Sequence, residues 1–199
     1  MIIMKWPIKK VAGWIFKVLA SVIILGGAGG FLLFKLRPDL FERSHDHQHC
    51  MPQIGLALKQ YAIDHENKFP YHSKSYGDAL LLLADTYLPV GNGDLYTGHG
   101  CDGTVFVEAF RKKTHVPEEQ CGRVYVQGLT ENSDSDLALL FDKLPSARTR
   151  EVFFVGGHVK WIPNKQWKDF AAKQIDLLVR NGIPHETATS LYRETLRDQ

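Results

Sequence analysis

The sequence predicts a membrane-anchored domain of the α+β class, and three observations lead to that prediction. An apolar segment at residues 11–34 is long enough to cross a bilayer core of about 30 Å as a helix. An amphipathic pattern with apolar residues at helical spacing follows at 51–65. Short runs of β-branched and aromatic residues then recur through 104–162, which favours an antiparallel sheet beside the helices.

Composition limits the size of the fold and the class of partner. The chain has 199 residues, of which 44% are apolar and 23% charged, enough for one main domain with appendages. The formal net charge is +2 and the basic residues are scattered, unlike the clustered charge of nucleic-acid-binding proteins. We therefore expect no nucleic-acid partner, and no motif implies a small-molecule substrate.

The N-terminal segment divides by charge into three parts. Residues 1–10 are basic, 11–34 predict a transmembrane helix in which Lys17 is the only charged residue, and 35–49 form a polar stalk. A cleaved signal peptide is the competing interpretation, because the basic start and the small residues at 26–30 are typical of one. The apolar run continues past those small residues, which favours an uncleaved anchor. The slight basic bias places the N-terminus inside and the following domain outside.

The domain is predicted to cover 50–182, followed by a helical appendage at 183–199. Helices are predicted over 51–65, 77–88, 164–181 and 185–197. Pro52 suits the first turn of the first helix, Asp78 lies near the start of the second, and Asn164 can cap the third.

Five strands are predicted between these helices. They cover 104–110, 123–129, 137–141, 151–155 and 158–162. The last two are separated by Gly156 and Gly157, which predicts a β-hairpin whose two turn residues both have positive φ.

Two stretches resemble the pseudopilin-like proteins of type II secretion. The stretch CMPQIGLALKQYAIDHENKFP at 50–70 is similar to the family pattern that follows the N-terminal helix. The stretch VFFVGGHVKW at 152–161 is similar to the hairpin pattern V-x-F-x-D-G-H-V-x-W. The residues in register are Cys50, Gly55, Leu56, Ala57, Tyr61, Ala62, Asp64, Phe69 and Pro70 in the first pattern, and Val152, Phe154, Gly157, His158, Val159 and Trp161 in the second.

The chain also departs from the family at two places. The prepilin cleavage motif is degenerate, because only Gly13 and Trp14 echo it and Val18 occupies the position of its glutamate. In the hairpin, Gly156 replaces the usual aspartate, which preserves a turn residue while removing a carboxylate.

The resemblance implies a pilin-like domain in which an amphipathic helix packs on a small antiparallel sheet. It implies a structural or interaction protein of the bacterial cytoplasmic membrane, single-pass, with its domain extracytoplasmic, in a type II secretion or pilus-type assembly. Its partners would be the lipid bilayer and other pilin-like subunits or secretion components, with no catalytic residue and no cofactor. The alternative is a membrane-tethered, metal-dependent ligand-binding domain or enzyme.

Three groups of polar residues are candidate sites. Asn132, Asp134 and Asp136 supply oxygen ligands of the kind calcium prefers, although the EF-hand spacing is absent. The stalk sequence HDHQHC at 45–50 is rich in metal-ligand residue types, yet no downstream pair has structural zinc spacing. His99, Cys101 and Asp102 contain the residue types of a nucleophile, a base and an orienting group.

The cysteines allow two interpretations. Cys101 and Cys121 are a candidate disulfide, which would hold the glycine-rich segment 91–103 and would leave Cys50 without a disulfide partner. The other interpretation is three buried thiols.

Overall fold

The computed structural model describes residues 50–91, 93–98, 101–146 and 148–196, which lie within the compact unit Asp46–Gln199. The predicted basic segment, transmembrane helix and stalk, 1–49, lie outside the described residues. Among the helices that are described, none is both long and apolar enough to cross a membrane.

The described residues confirm the α+β class. In chain order the elements are α1 (Cys50–Asp64), α2 (Tyr76–Leu81), α3 (Asp94–Thr97), α4 (Thr104–Lys112), β1 (Arg123–Tyr125), β2 (Ala138–Asp142), β3 (Thr149–Phe154), β4 (Val159–Pro163), α5 (Trp167–Arg180) and α6 (His185–Arg193). Short 3-10 turns lie at Glu118–Gln120, Asn164–Gln166 and Glu194–Leu196. The strands form one antiparallel sheet in the order β1-β2-β3-β4, so each strand pairs with its neighbour in sequence.

Helix α1 covers one face of this sheet. Ile54, Leu58 and Ala62 of the stripe that the helical spacing predicted are fully buried, and Tyr61 is partly buried. Met51 is fully buried as well. Gly55 lies against the ring of Phe153 in β3, and a Cβ at position 55 would come within 2.2 Å of that ring. Glycine at position 55 therefore permits the close approach of helix and sheet.

Helices α5 and α6 cover the opposite face. The ring of Phe141 in β2 lies 5.6 Å from that of Trp167 and stacks on that of Tyr192 at 4.7 Å. Tyr192 and Ala188 of α6 are fully buried. The segment predicted as an appendage, 183–199, therefore packs on the core through α6. Two buried residues one helical turn apart anchor this short helix.

The segment 104–110 was wrongly predicted as a strand. It forms α4, in which Phe106 and Ala109 are buried one turn apart, and Phe106 stacks on Tyr96 at 5.4 Å. Lys113 ends the helix in the left-handed conformation. Its β-branched and aromatic residues favour a strand locally, and packing against Tyr96 overrides that preference.

Other boundaries also differ from the prediction. Helix α2 ends at Leu81 rather than near 88, and β1 covers only three residues of the predicted strand at 123–129. Asn164 begins a 3-10 turn before α5 and does not cap the helix itself.

The predicted hairpin is present, but its turn differs. The Phe154 amide donates to the His158 carbonyl at 3.0 Å, and the Gly157 amide donates to the Phe154 carbonyl at 2.9 Å. Only Gly157 has a positive φ, +83°, so the turn has one left-handed residue rather than two. Gly156 instead allows a close approach to Ser135, since its amide donates to the Ser135 carbonyl at 3.0 Å.

Candidate functional site

The glycine-rich loop between α2 and α4 folds back on itself. Gly93 and Gly103 meet so closely that a Cβ on Gly93 would lie 1.8 Å from the carbonyl oxygen of Gly103. Between them, Leu95, Tyr96 and Thr97 of α3 are buried. The described residues of this loop therefore contribute to the core.

Arg123 of β1 holds this loop on the sheet. Its guanidinium donates to the carbonyl of Leu95 at 2.7 Å, and the side chain is buried. Gly98 has a φ of +71°, and a Cβ there would come within 2.9 Å of Arg123. The close contact and the left-handed backbone both favour glycine at this position.

The same arginine belongs to a row of side chains across the sheet. Arg123 lies opposite Asp142, and its Nε donates to Asp142 Oδ1 at 3.3 Å. The Glu151 amide donates to the other oxygen of Asp142 at 3.2 Å. Glu151 in turn lies opposite Trp161 of the edge strand β4. Directly opposed residues project from the same face, so these four residues form one row.

This row lies on the face that α1 covers. Glu151 is two residues from Phe153, whose ring contacts α1, and alternate residues of a strand share a face. Arg123 and Asp142 are each 1% exposed, whereas Trp161 is 59% exposed. The row therefore runs from a buried ion pair to an aromatic side chain in solvent.

Arg150 is the corresponding buried charge on the opposite face. Its guanidinium lies 4.9 Å from the ring of Trp167 and donates to the carbonyl of Thr195 at 3.1 Å. It also donates to the carbonyls of Asp142 and Lys143. Backbone oxygens thus compensate much of the cost of burying this cation.

Glu151 is the chemically distinctive member of the row. Glu151 is only 6% exposed, and its Oε1 atom is buried without a hydrogen-bond partner among the described residues. Burial and the neighbouring Asp142 raise the pKa of Glu151 to about 7, although Arg123 lowers it. The arrangement can therefore take up and release a proton near neutral pH.

The predicted calcium residues lie in an exposed turn before β2. Asp134 Oδ1 accepts the amide of Asp136 at 2.9 Å, which uses that carboxylate to shape the turn. The Asn132 amide donates to the hydroxyl of Thr130 at 3.3 Å. Among the described residues, no three His, Cys, Asp or Glu side chains are placed to hold a metal ion. Calcium binding here stays a prediction.

The two candidate disulfide cysteines are free thiols in the structure. Burial raises the pKa of Cys121 to about 12 and also raises the pKa of Cys101. Cys121 is fully buried and donates to the Pro117 carbonyl at 3.5 Å. Their pairing stays a prediction, and Cys50 is buried at the start of α1.

The remaining candidates are not brought together by the described part of the chain. His99 lies outside the described residues, as does 45–49 of the stalk. Asp102 accepts the amide of Thr104 at the start of α4, at 2.9 Å, which is a structural role.

The buried row was not found from the sequence. Its three charged members are far apart along the chain, and only the register of the strands brings them together. A signal was available: Arg123 and Glu151 each adjoin strongly apolar strand residues, where a charged side chain is rarely buried without a partner.

No protein-family model, no curated protein and no solved structure matches this chain.

Proposed function

We propose that this protein is a membrane-anchored, pilin-like structural or interaction component of a bacterial cell envelope. Its domain would be extracytoplasmic, and its partners would be the bilayer and other pilin-like subunits or secretion components. The proposal rests on the resemblance of two sequence stretches, on the apolar segment 11–34 and on the arrangement of α1. It assigns no catalytic step and no cofactor.

The outer face of α1 is the observation that carries the proposal. While the inner stripe packs on the sheet, Leu56 and Ile63 on the outer side are 63% and 72% exposed. They lie two helical turns apart and therefore on one face of the helix. Such unpartnered apolar residues on a helix that follows a membrane segment suit lateral contact with another subunit.

The first experiment tests membrane anchoring. Membranes from cells that express the full chain are extracted at alkaline pH and separated by centrifugation. We expect the protein to stay with the lipid, because a spanning helix resists release by a change of charge. Recovery in the supernatant would overturn the anchored role.

The second experiment tests lateral contact. Leu56→Cys and Ile63→Cys are made in a Cys101→Ser background, which removes the partly exposed natural thiol, and native membranes are oxidised. We expect disulfide-linked dimers or ladders from both variants. Val179→Cys is the matched control, because Val179 is an exposed apolar residue on α5. Equal crosslinking at all three positions would indicate random collision and contradict a specific surface.

A further inference from the structure

A cluster of two histidines and one aspartate lies apart from the buried row. Asp78, in the first turn of α2, has a nearly buried side chain, and its Oδ1 accepts the amide of Val116 at 2.9 Å. Its Oδ2 lies 2.6 Å from Nδ1 of His115 and 3.3 Å from Nδ1 of His72. One carboxylate oxygen is thus shared by imidazoles from two separate loops.

His72 faces a donor and an acceptor at the same distance. Its Nδ1 lies 3.3 Å from the amide nitrogen of Lys74 and 3.3 Å from Oδ2 of Asp78. An unprotonated Nδ1 can accept from the amide but cannot donate to the carboxylate. A protonated Nδ1 can donate to Asp78 and can no longer accept from Lys74. The protonation of this single nitrogen therefore selects the partner.

The ring of His72 lies beside a carboxylate that it shares with His115, and the backbone of His72 is held in place. His115 donates to the same oxygen of Asp78, and the backbone amide of His72 is held by Gln127 at 2.7 Å. The other charged side chains on the adjoining segments include Lys74, Lys113, Glu118 and Glu119, and Glu118 accepts the amide of Tyr76 at 3.4 Å. Asp78 is the carboxylate that lies within ion-pair distance of the His72 ring.

Asp78 itself stays ionised over the relevant range. Burial favours its neutral form, but the Val116 amide and the imidazoles of His115 and His72 outweigh burial and hold the pKa of Asp78 below its usual range. Acidification to pH 5 thus leaves the acceptor in place.

We propose that His72, Asp78 and His115 form a proton-operated latch that ties the segment before α2 to α2 and to the loop before Val116. In its neutral form His72 accepts from Lys74. In its charged form, which imidazoles ordinarily take near pH 5, His72 donates to Asp78 and tightens the latch. A hydrogen bond from a charged imidazole to a carboxylate is stronger than one from a backbone amide to a neutral ring, so we expect the latch to contribute more to the stability of the folded domain at pH 5 than at pH 8.

The test compares the full chain with His72→Asn, which keeps a hydrogen-bonding group near the Nδ1 position but cannot become charged. The melting temperature is measured at pH 5 and at pH 8. We expect the melting temperature of the variant to fall below that of the wild type by about 2 °C more at pH 5 than at pH 8, or by a larger margin. His65→Asn is the matched control, because His65 is exposed and its Nδ1 lies 2.8 Å from a backbone carbonyl instead of a carboxylate.

A deficit that is the same at both pH values, or an equal pH dependence in His65→Asn, would overturn the latch. A spectroscopic measurement covers the case in which melting is irreversible. In long-range proton–nitrogen spectra of protein labelled with ¹⁵N-histidine, the signal missing from His72→Asn identifies His72. We expect Nδ1 of His72 to gain a proton between pH 8 and pH 5, and an unchanged state of this nitrogen would contradict the proposal.

Discussion

The two ends of the sheet are stabilised by different means. At the charged end, where Arg123, Asp142 and Glu151 meet, the ion pair is deeply buried. Its arginine donates to the Leu95 carbonyl, and its aspartate accepts from the Glu151 amide. At the hairpin end, around Gly157, Lys59 of α1 donates to Glu131 and to the Val155 carbonyl, each at 2.5 Å.

The difference lies in solvent access. The side chains of Lys59 and Glu131 are 24% and 22% exposed, whereas those of Arg123 and Asp142 are each 2% exposed. Water can replace a lost partner at the hairpin end but not at the charged end. We therefore expect side-chain chemistry to control stability at the charged end and backbone conformation to control it at the hairpin end.

The largest effect is expected for Arg123→Met. This substitution keeps the bulk of the side chain but leaves Asp142 without its cation and the Leu95 carbonyl without its donor. We expect the free energy of unfolding to fall by about 3–5 kcal/mol. Denaturant titration followed by intrinsic tryptophan fluorescence measures the loss, and Lys165→Met, at an exposed position, is the control. A loss below about 1 kcal/mol would mean that this buried ion pair contributes no more than an exposed one, and would contradict the expectation.

The next effect is expected for Glu151→Gln, and it depends on pH. The folded pKa of Glu151, about 7, lies above its ordinary value of 4.5, so the folded state binds more protons between these values. The resulting stabilisation is complete below pH 4.5 and is lost as the pH rises through 7. We expect the free energy of unfolding of the variant to exceed that of the wild type by about 1–2 kcal/mol at pH 8. At pH 5 the two values should approach each other. If the variant and the wild type differed in unfolding free energy by the same amount at pH 5 and at pH 8, Glu151 would not titrate in this range.

At the hairpin end, Gly157→Ala should cost about 1 kcal/mol of unfolding free energy, because position 157 is left-handed. Gly91→Ala is the control, since its φ is not positive and, apart from its chain neighbours, no atom of the described residues lies within 4 Å of a Cβ placed there. Thermal unfolding of both variants measures the difference. Equal melting temperatures would mean that the turn relaxes to another conformation.

The smallest effect is expected for Glu131→Gln. It removes the charge partner of Lys59 while the Val155 carbonyl still accepts from the ammonium group. We expect a loss of about 0.5 kcal/mol that shrinks in high salt. A loss as large as that of Arg123→Met, at any salt concentration, would remove the distinction between the two ends.

The elements that sequence patterns predicted well are those whose signal is local. The buried stripe of α1 recurs at helical spacing, and the strands on either side of Gly157 alternate as a hairpin requires. The segment 104–110 was mispredicted because its apolar residues fit both the helical period and the alternation of a strand. The stacking of Phe106 on Tyr96, which decides between them, is a tertiary contact.

Local sequence patterns predicted the candidate site less well than they predicted the fold. Arg123, Asp142 and Glu151 become neighbours only when three strands pair in one register, and a shift of one residue would move them to opposite faces. The latch is similar, because His72 and His115 meet at Asp78 through the packing of two loops. The residues singled out from the sequence were those clustered along the chain, and clustering along the chain is a poor guide to contact in space.

The position of α1 along the chain has a consequence for synthesis. Lys59 and its acceptor Val155 are separated by 96 residues. At about 5–20 residues per second, the helix leaves the ribosome some 5–20 s before the strand that covers its apolar stripe. A nascent chain with that stripe uncovered is open to premature association with another nascent copy. The sheet itself, built from strands adjacent in sequence, can form at once when β4 is complete, so docking of the early helix is the step that chaperones would have to protect.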